Sequence, residues 1–548
     1  MATMLVTDIY ELRPTQQATL STTSSRTSLH LAPCENNLDQ NIGRQPNVTP
    51  AQNRSMLKTF LIVFQLCMIN FLTSITNGLI TVGLPTIASS TNLPRSLYLW
   101  PTSVYGLTSG ATLLLAGAIA DQIGARLVDL IGCVILSTFT LACSLSNTGV
   151  QLVVFRAFQG VGMSMHLPSS VSLIAAAVPQ GKGRNFSYGC LGLSQPLGFS
   201  TGLVVGGIMI EKAGWRSGFY MSGGALVVAT VVAFFLLPKP LPTPRAHDHR
   251  PVLIRLWAEI DWIGGIIASA GLALLSYVLA LLSADLSIIH KASTGALLAL
   301  SVILLLSFPA WMHFRQKKGN PALIPNNLWR KAAFTSTCIM IALAYGLQNA
   351  MELFSSLYFQ EIQKTSLLLT SLRLLPNLLV GAAINFMVGM LVDRFSARRL
   401  VVISSLLSAG APLMMAFVDP RWSYWNMEFW AQILAPMCGD VLFTVGLLII
   451  SSEFPEETQA LAGAVFNTLA QFGMSLGVTL CQVVALAVSA KDSGQVLSSN
   501  RYGPDEERKS LLGGYRASFW SMFAFGATCA LVAAGGLRKA GKVGVKRD

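Results

Sequence analysis

Inside the apolar stretches of this 548-residue chain, Arg156, His166, Glu352, Arg373 and Asp440 form a short list of candidates for proton coupling. Asp440 stands in Pro436-Met-Cys-Gly-Asp440, near the midpoint of an apolar run over 427–451. A charged carboxylate is costly in hydrocarbon and a neutral one far less so. Such an acid can therefore carry a proton as its surroundings alternate, or anchor a cationic or hydroxylated ligand. The competing reading is a structural acid bonded to a neighbouring helix. Glu352 lies nearer the end of its run and is either a coupling acid or a rim acid paired with Arg373. Arg156 must face a cavity, find a partner or snorkel to the interface. His166 lies ten residues from Arg156 and is not stacked on it. Its ring suits a proton switch, and a neutral ring bonded to another helix explains it more simply. Asn70, Thr73, Thr76 and Asn77 form a polar stripe, with 70, 73 and 77 on one helical face. Together with Gln159, Asn349, Asn467 and Gln471 they line a cavity or hydrogen-bond between helices.

The elements that hold these residues follow from composition. Apolar residues make up 52% of the chain and charged ones 11%, against about 25% charged in soluble domains. Mean hydropathy is +0.56. There is too little charge to coat two to four soluble domains, and too much apolar surface for disorder. The chain reads as an all-α polytopic membrane protein. A crossing needs about 20 apolar residues. That length predicts fourteen spans: 58–80, 97–119, 127–146, 150–178, 185–210, 217–237, 261–283, 293–312, 332–358, 366–391, 399–418, 427–451, 458–488 and 517–537. The polar stretch 1–57 reads as a disordered cytoplasmic tail and 541–548 as a short basic one. The cysteines lack CxxC spacing and, Cys34 aside, lie in apolar runs. They read as small hydrophobes, so no metal or cofactor is expected.

An even number of spans puts both termini on one side. Lys and Arg number 25 on the terminal side and 11 opposite, which assigns the termini to the cytoplasm. The net charge of +13 is then a topology signal and implies no nucleic-acid partner. The sequons at Asn47, Asn53 and Asn185 fall on the cytoplasmic side. The longest outer loop, roughly 489–516, carries a charge cluster from Asp505 to Lys509 that reads as a solvated face.

The chain also repeats itself. Gly117-Ala-Ile-Ala-Asp121-Gln-Ile-Gly124-Ala-Arg126 recurs 272 residues later as Gly389-Met-Leu-Val-Asp393-Arg394-Phe-Ser-Ala-Arg398. Gln195-Pro-Leu-Gly198-Phe-Ser-Thr-Gly202 is echoed by Gln471-Phe-Gly473-Met-Ser-Leu-Gly477. Two six-helix halves, 58–237 and 332–540, with a loop and an inserted helix pair over 238–331, fit these spacings. Repeated halves around a midplane site are a transporter architecture. In the first motif the Gly would let helices approach, the Asp would meet a helix dipole, and the Arg would pair with an acid. Together they would form a latch that holds one conformation.

These motifs resemble the major facilitator superfamily, and more narrowly its fourteen-span drug:proton antiporters and the fungal efflux pumps for toxins and secondary metabolites. The likeness covers about 58–540. Leu152-Val-Val-Phe-Arg156-Ala-Phe-Gln159-Gly160 resembles the family's span 4 motif, whose Arg is associated with proton coupling. Gly198, Gly202, Gly206 and Gly207 match the span 5 antiporter motif. There are departures: Leu203 replaces the expected Pro, Thr76 the span 1 acid, and Ser396 a Gly. The resemblance implies a major facilitator fold and a proton-coupled, monomeric exporter of small amphipathic molecules in the plasma membrane. Import, or vacuolar uptake of an iron chelate or basic amino acid, is the alternative, and a membrane sensor a remote one. An enzyme is not expected. Gly198-Phe-Ser200-Thr-Gly202 fits the hydrolase elbow pattern without its strand–turn–helix context, and His247-Asp-His249 is an isolated pair in a basic loop.

Overall fold

The computed structural model describes residues 56–93, 97–179, 182–238, 260–282, 286–319, 322–324, 326–391, 395–454, 456–497 and 504–538. The N-terminal tail up to residue 55, the loop 239–259 with His247 and His249, Asp393, and the C-terminal residues 539–548 lie outside them. The described chain is helical, with no strand among the described residues.

Six helices form a first bundle: α1 Met56–Ser90, α2 Trp100–Ile123, α3 Ala125–Ser144, α4 Gly149–Ala177, α5 Lys182–Ala213 and α6 Trp215–Leu236. A hairpin follows, α7 Trp262–Leu282 and α8 Ala292–Lys317, then a 3-10 turn Asn326–Arg330. The second bundle comprises α9 Ala332–Leu357 with a π turn Tyr358–Ile362, α10 Leu367–Leu391, α11 Ala397–Phe417, α12 Glu428–Leu434, α13 Met437–Glu453, α14 Glu456–Leu497 and α15 Pro504–Gly536. Thirteen segments are long and apolar enough to cross a membrane, α12 and α13 counting as one. Helix α4 makes a fourteenth crossing; Arg156, Gln159, His166 and its serines lower its hydropathy. Large apolar side chains point outward, among them Phe235, Leu306 and Leu531, each more than 70% exposed. In water such a surface would aggregate; in a bilayer it is solvated.

Within the first bundle α1 packs on α5 and α6, α2 on α4, and α3 on α4 and α6. Within the second, α9 packs on α14 and α15, α11 on α15, and α10 on α12 and α13. The bundles meet along two seams, α2–α14 and α5–α10. Helix α7 packs against α2 and α14, while α8 leans on α7. We call the end holding the start of α1 and the end of α15 the near end, and the opposite one the far end.

Three elements differ from the hydropathy reading. Helices α1, α14 and α15 run past their apolar windows, because helix hydrogen bonding continues where the bilayer stops. The expected outer loop over 489–516 is mostly helix, since α14 reaches Leu497 and α15 starts at Pro504. Within its cluster Arg508 and Lys509 are exposed, and Arg508 also donates to the Ile362 carbonyl at 2.6 Å. The run 427–451 is broken between α12 and α13 at Ala435–Pro436. Proline removes one rung of the helix ladder, and Ser408 of α11 donates to the Ala435 carbonyl at 2.8 Å.

Candidate functional site

Asp440 lies in the first turn of α13, just past that break. A carboxylate there meets the positive end of the helix dipole. It is buried, and its Oδ2 packs so closely on Gly381 of α10 that a Cβ there would come within 2.5 Å of it. On the α9 side, the Gln348 amide rests on Gly439. Glu352, one turn along α9 from Gln348, is also buried and lies within electrostatic range of Asp440. Tyr345, two turns from Glu352 on the same face, stacks obliquely on Phe443 at 6.2 Å. The break and three small contacts thus gather two acids and a phenol between α9, α10 and α13. Asn349 is half-buried on α9.

The first bundle holds a cation instead. Arg156 is 1% exposed, so it does not snorkel. Its guanidinium donates to the Pro101 carbonyl at 3.0 Å, to Gln159 Oε1 at 2.8 Å and to Asn77 Oδ1 at 2.6 Å. The Tyr105 ring lies under it at 4.6 Å. Gln159 passes the chain on to Thr140 at 2.7 Å. All these partners are neutral, and position 76, where the resemblance implied an acid, holds Thr. The polar stripe of α1 is split: Asn77 turns to Arg156, whereas Asn70 donates to Leu191 O and Ser194 Oγ of α5. Thr73 and Thr76 bond to their own helix. In α14, Asn467 donates to Gly463 O, and buried Gln471 lies against Gly106 and Gly110 of α2 with its Oε1 unpartnered.

His166 has an acid partner that sequence reasoning missed. Its Nδ1 lies 2.8 Å from Asp129 Oδ1, both residues fully buried. Cys133 Sγ is 3.8 Å from Asp129 Oδ2 and 4.0 Å from His166 Nδ1. The signal was Asp129 itself, four residues before Cys133 on one face of α3, overlooked beside the span boundary. The three ligand atoms lie within 4.8 Å of one another, as a metal site would require. The Nδ1–Oδ1 approach, however, is that of a hydrogen bond; donors around a tetrahedral zinc sit about 3.3 Å apart. The cluster is read here as a buried histidine–carboxylate pair.

At the far end, five hydrogen bonds among the described residues join the bundles. Tyr98 donates to Glu361 Oε1 at 3.1 Å, and Gln360 to Val82 O at 3.0 Å. Ser356 donates to Thr81 O at 3.3 Å, Ser371 to Leu203 O at 2.7 Å, and Leu368 N to Glu211 at 3.0 Å. Tyr515 holds the other oxygen of Glu361 at 2.5 Å. The π turn supplies Gln360 and Glu361; such turns re-aim side chains where a regular helix would not. Arg373 sits here too, and it pairs with Glu428 at 3.8 Å, so the pairing of Glu352 with Arg373 is not formed. Gln363 links the two, accepting from Arg373 and donating to Glu428 at 2.5 Å. Burial pushes the Tyr424 hydroxyl up to about 12 against the pull of Arg373, which keeps it a donor to the Arg373 carbonyl at 2.7 Å.

The motif residues fall at helix contacts. A Cβ at Gly198 would strike Phe71 O, one at Gly202 Ile75 O, one at Gly206 the Leu79 backbone, and one at Gly207 Ser371 Oγ. Gly473 and Gly477 press on Ala342 and Gly346 in the same way, so α5 on α1 is mirrored by α14 on α9. Gly117 differs from expectation: a Cβ there would meet only Pro168 at an ordinary 3.8 Å. The glycine the turn requires is Gly124, at φ +100°. Among the described residues Arg126 meets no acid, and it donates instead to the Phe234 carbonyl at 2.7 Å. Asp121 is exposed at the end of α2, Gly389 lies near the end of α10 and Arg398 is exposed on α11.

The Major Facilitator Superfamily profile matches residues 66–478 and 333–543. The chain belongs to that superfamily. MFS-type transporter 1 of Pyricularia oryzae is 40% identical over 535 residues, covering 91% of this chain and 87% of that protein. The Methylenomycin A resistance protein of Bacillus subtilis is 24% identical, covering 74% and 83%. Among solved structures, a bacterial homologue of the human lysosomal transporter Spinster, described as inward-facing and occupied, superposes with a TM-score of 0.61 at 16% identity, over 90% of this chain and all of that one. The chain is a membrane transporter of the superfamily and not an enzyme.

Proposed function

We propose that this transporter is a proton-coupled exporter of small amphipathic organic molecules, such as a drug, toxin or secondary metabolite. It works by alternating access as a monomer in the plasma membrane, with both termini in the cytoplasm. The observation that carries the reading is the separation of charge between the bundles. Glu352 and Asp440 gather at a helix break in the second, while in the first Arg156 has only neutral partners among the described residues. Acids with no fixed counter-ion can lose a proton when wetted and bind one when dried. Cargo would bind from the cytoplasm with an acid ionised and leave outside as a proton arrives. The far-end bonds through Glu361 and Gln360 would be the outer gate in its closed state. Arg373, bound to Glu428, would steady that gate, and His166 with Asp129 would store a proton or brace α3 on α4. Gly117, Asp121 and Arg126, with Gly389, Asp393 and Arg398, would guide the near end. The resistance function named for the Bacillus subtilis relative supports export. Import is the second reading, favoured by Thr76 and Leu203, which depart from the antiporter pattern.

The test uses sealed vesicles carrying the protein and an imposed proton gradient. Energised inside-out vesicles should accumulate a fluorescent amphipathic cation and release protons as they do so. Accumulation confined to right-side-out vesicles would establish import instead.

A further inference from the structure

A cleft of about 630 Å³ lies where the end of α8 meets the 3-10 turn, lined by His313, Gln316, Lys317, Asn326, Asn327 and Arg330, with Gly319 and Ala322 as its floor. Among the described residues no carboxylate lines it. Its walls are tied together: Asn326 donates its side chain to the Pro309 carbonyl at 2.9 Å and its backbone N–H to Gln316 at 3.3 Å, and Ile324 N–H reaches Met312 Sδ at 3.5 Å. The neighbouring cations are engaged elsewhere. Arg315 lies 3.8 Å from Asp261, Lys318 sits over the Phe314 ring at 4.4 Å, and Lys331 pairs with Glu453. Lys317, Arg330 and the His313 ring remain to face the cleft, an arrangement suited to a phosphate oxyanion.

The surroundings say how that phosphate arrives. Only 11% of the apolar stretch of α8 is buried, against 28–67% in the other spans. Ile303, Leu306, Ala310, His313 and Lys317 follow one another at spacings of three and four residues, so they form one stripe. Ile303 and Leu306 are 61% and 72% exposed. The stripe runs from Leu306 to Lys317 over about 16 Å, the depth from the acyl region to the headgroup level. Its apolar part fits lipid tails, and its basic end opens into the cleft.

We propose that the cleft binds the phosphate of an anionic phospholipid whose acyl chains lie along the Ile303–Leu306–Ala310 stripe. A phosphate held here fastens the α7–α8 hairpin to the start of α9, whatever the direction of transport.

The full-length protein is reconstituted in nanodiscs of phosphatidylcholine, phosphatidylserine and phosphatidylinositol, extracted, and its retained lipids counted by native mass spectrometry. The wild type should retain anionic lipid over phosphatidylcholine. Lys317→Gln with Arg330→Gln should lower that retention about tenfold or more, as expected for two phosphate-facing cations. Lys317→Arg with Arg330→Lys should keep most of it, and Lys318→Gln with Arg421→Gln, which removes equal charge outside the cleft, should leave it intact. Equal retention by wild type and the neutralised cleft would overturn the proposal, as would equal loss in the outside control. A last arm adds inorganic phosphate to protein in pure phosphatidylcholine discs. Thermal stabilisation there that depends on Lys317 and Arg330 would assign the cleft to a soluble phosphate and reject the lipid.

Discussion

Asp440 and Glu352 form no ion pair among the described residues, which leaves their protons free to follow the wetting of the cavity. Asp440→Asn should reduce gradient-driven transport to the level of protein-free vesicles while cargo binding persists. Glu352→Gln should shift the pH dependence of transport and keep part of the flux. Unchanged flux and pH profile in Asp440→Asn would remove that acid from the mechanism. Asp129 and His166 make a different case. Breaking a buried pair strands the survivor, at about 3–5 kcal/mol. Asp129→Asn and His166→Asn should each lower the unfolding temperature sharply in detergent. The double variant should lose less than the sum, by about 0.5–3 kcal/mol of coupling; additive losses would show that the 2.8 Å contact contributes nothing. The candidate acids and Arg156 were legible in the sequence, because ionisable side chains stand out in apolar runs. Their partners were not. Asp129 with His166 and Arg373 with Glu428 join helices whose adjacency exists only after folding.

Helices came through as spans because hydropathy measures what the bilayer demands. It fell short at α1, α14 and α15, whose ends run past the apolar windows, and at the α12–α13 break, where Pro436 interrupts the helix inside one unbroken apolar run. Glycines separate by what they touch. Gly202→Ala must push α5 off Ile75 of α1, an overpacking cost of about 1–3 kcal/mol or more. Gly117→Ala has room beside Pro168. The first should lower the yield of monodisperse protein on size exclusion and the second should not; equal yields would refute the difference in packing. At the far end, Tyr98→Phe deletes one bond between the bundles. A net loss of about 1 kcal/mol should raise the population open at that end roughly fivefold, read as faster alkylation of a cysteine placed at Ser356. Unchanged labelling would mean that Glu361 is held by Tyr515 alone.

At the scale of the molecule, the repeat seen in the sequence corresponds to a packing repeat: α5 on α1 and α14 on α9, each through paired glycines. The excess of Lys and Arg on the terminal side predicts that tags on either terminus are reached by antibody only after cells are permeabilised. Staining of intact cells would invert the topology and, with it, the assignment of inner and outer gates. The place of the hairpin was not legible, since an inserted pair carries no pattern that says which seam it covers. It covers one of the two. Helix α7 backs the α2–α14 seam, with Ser269 donating to the Ala111 carbonyl at 2.5 Å. The α5–α10 seam has no such cover among the described helices, and its bonds through Ser371 and Leu368 sit towards the far end. For the amphipathic cargo proposed above, the hairpin closes the α2–α14 flank and leaves the α5–α10 seam, bonded towards the far end, as the flank able to part at the end nearest the termini.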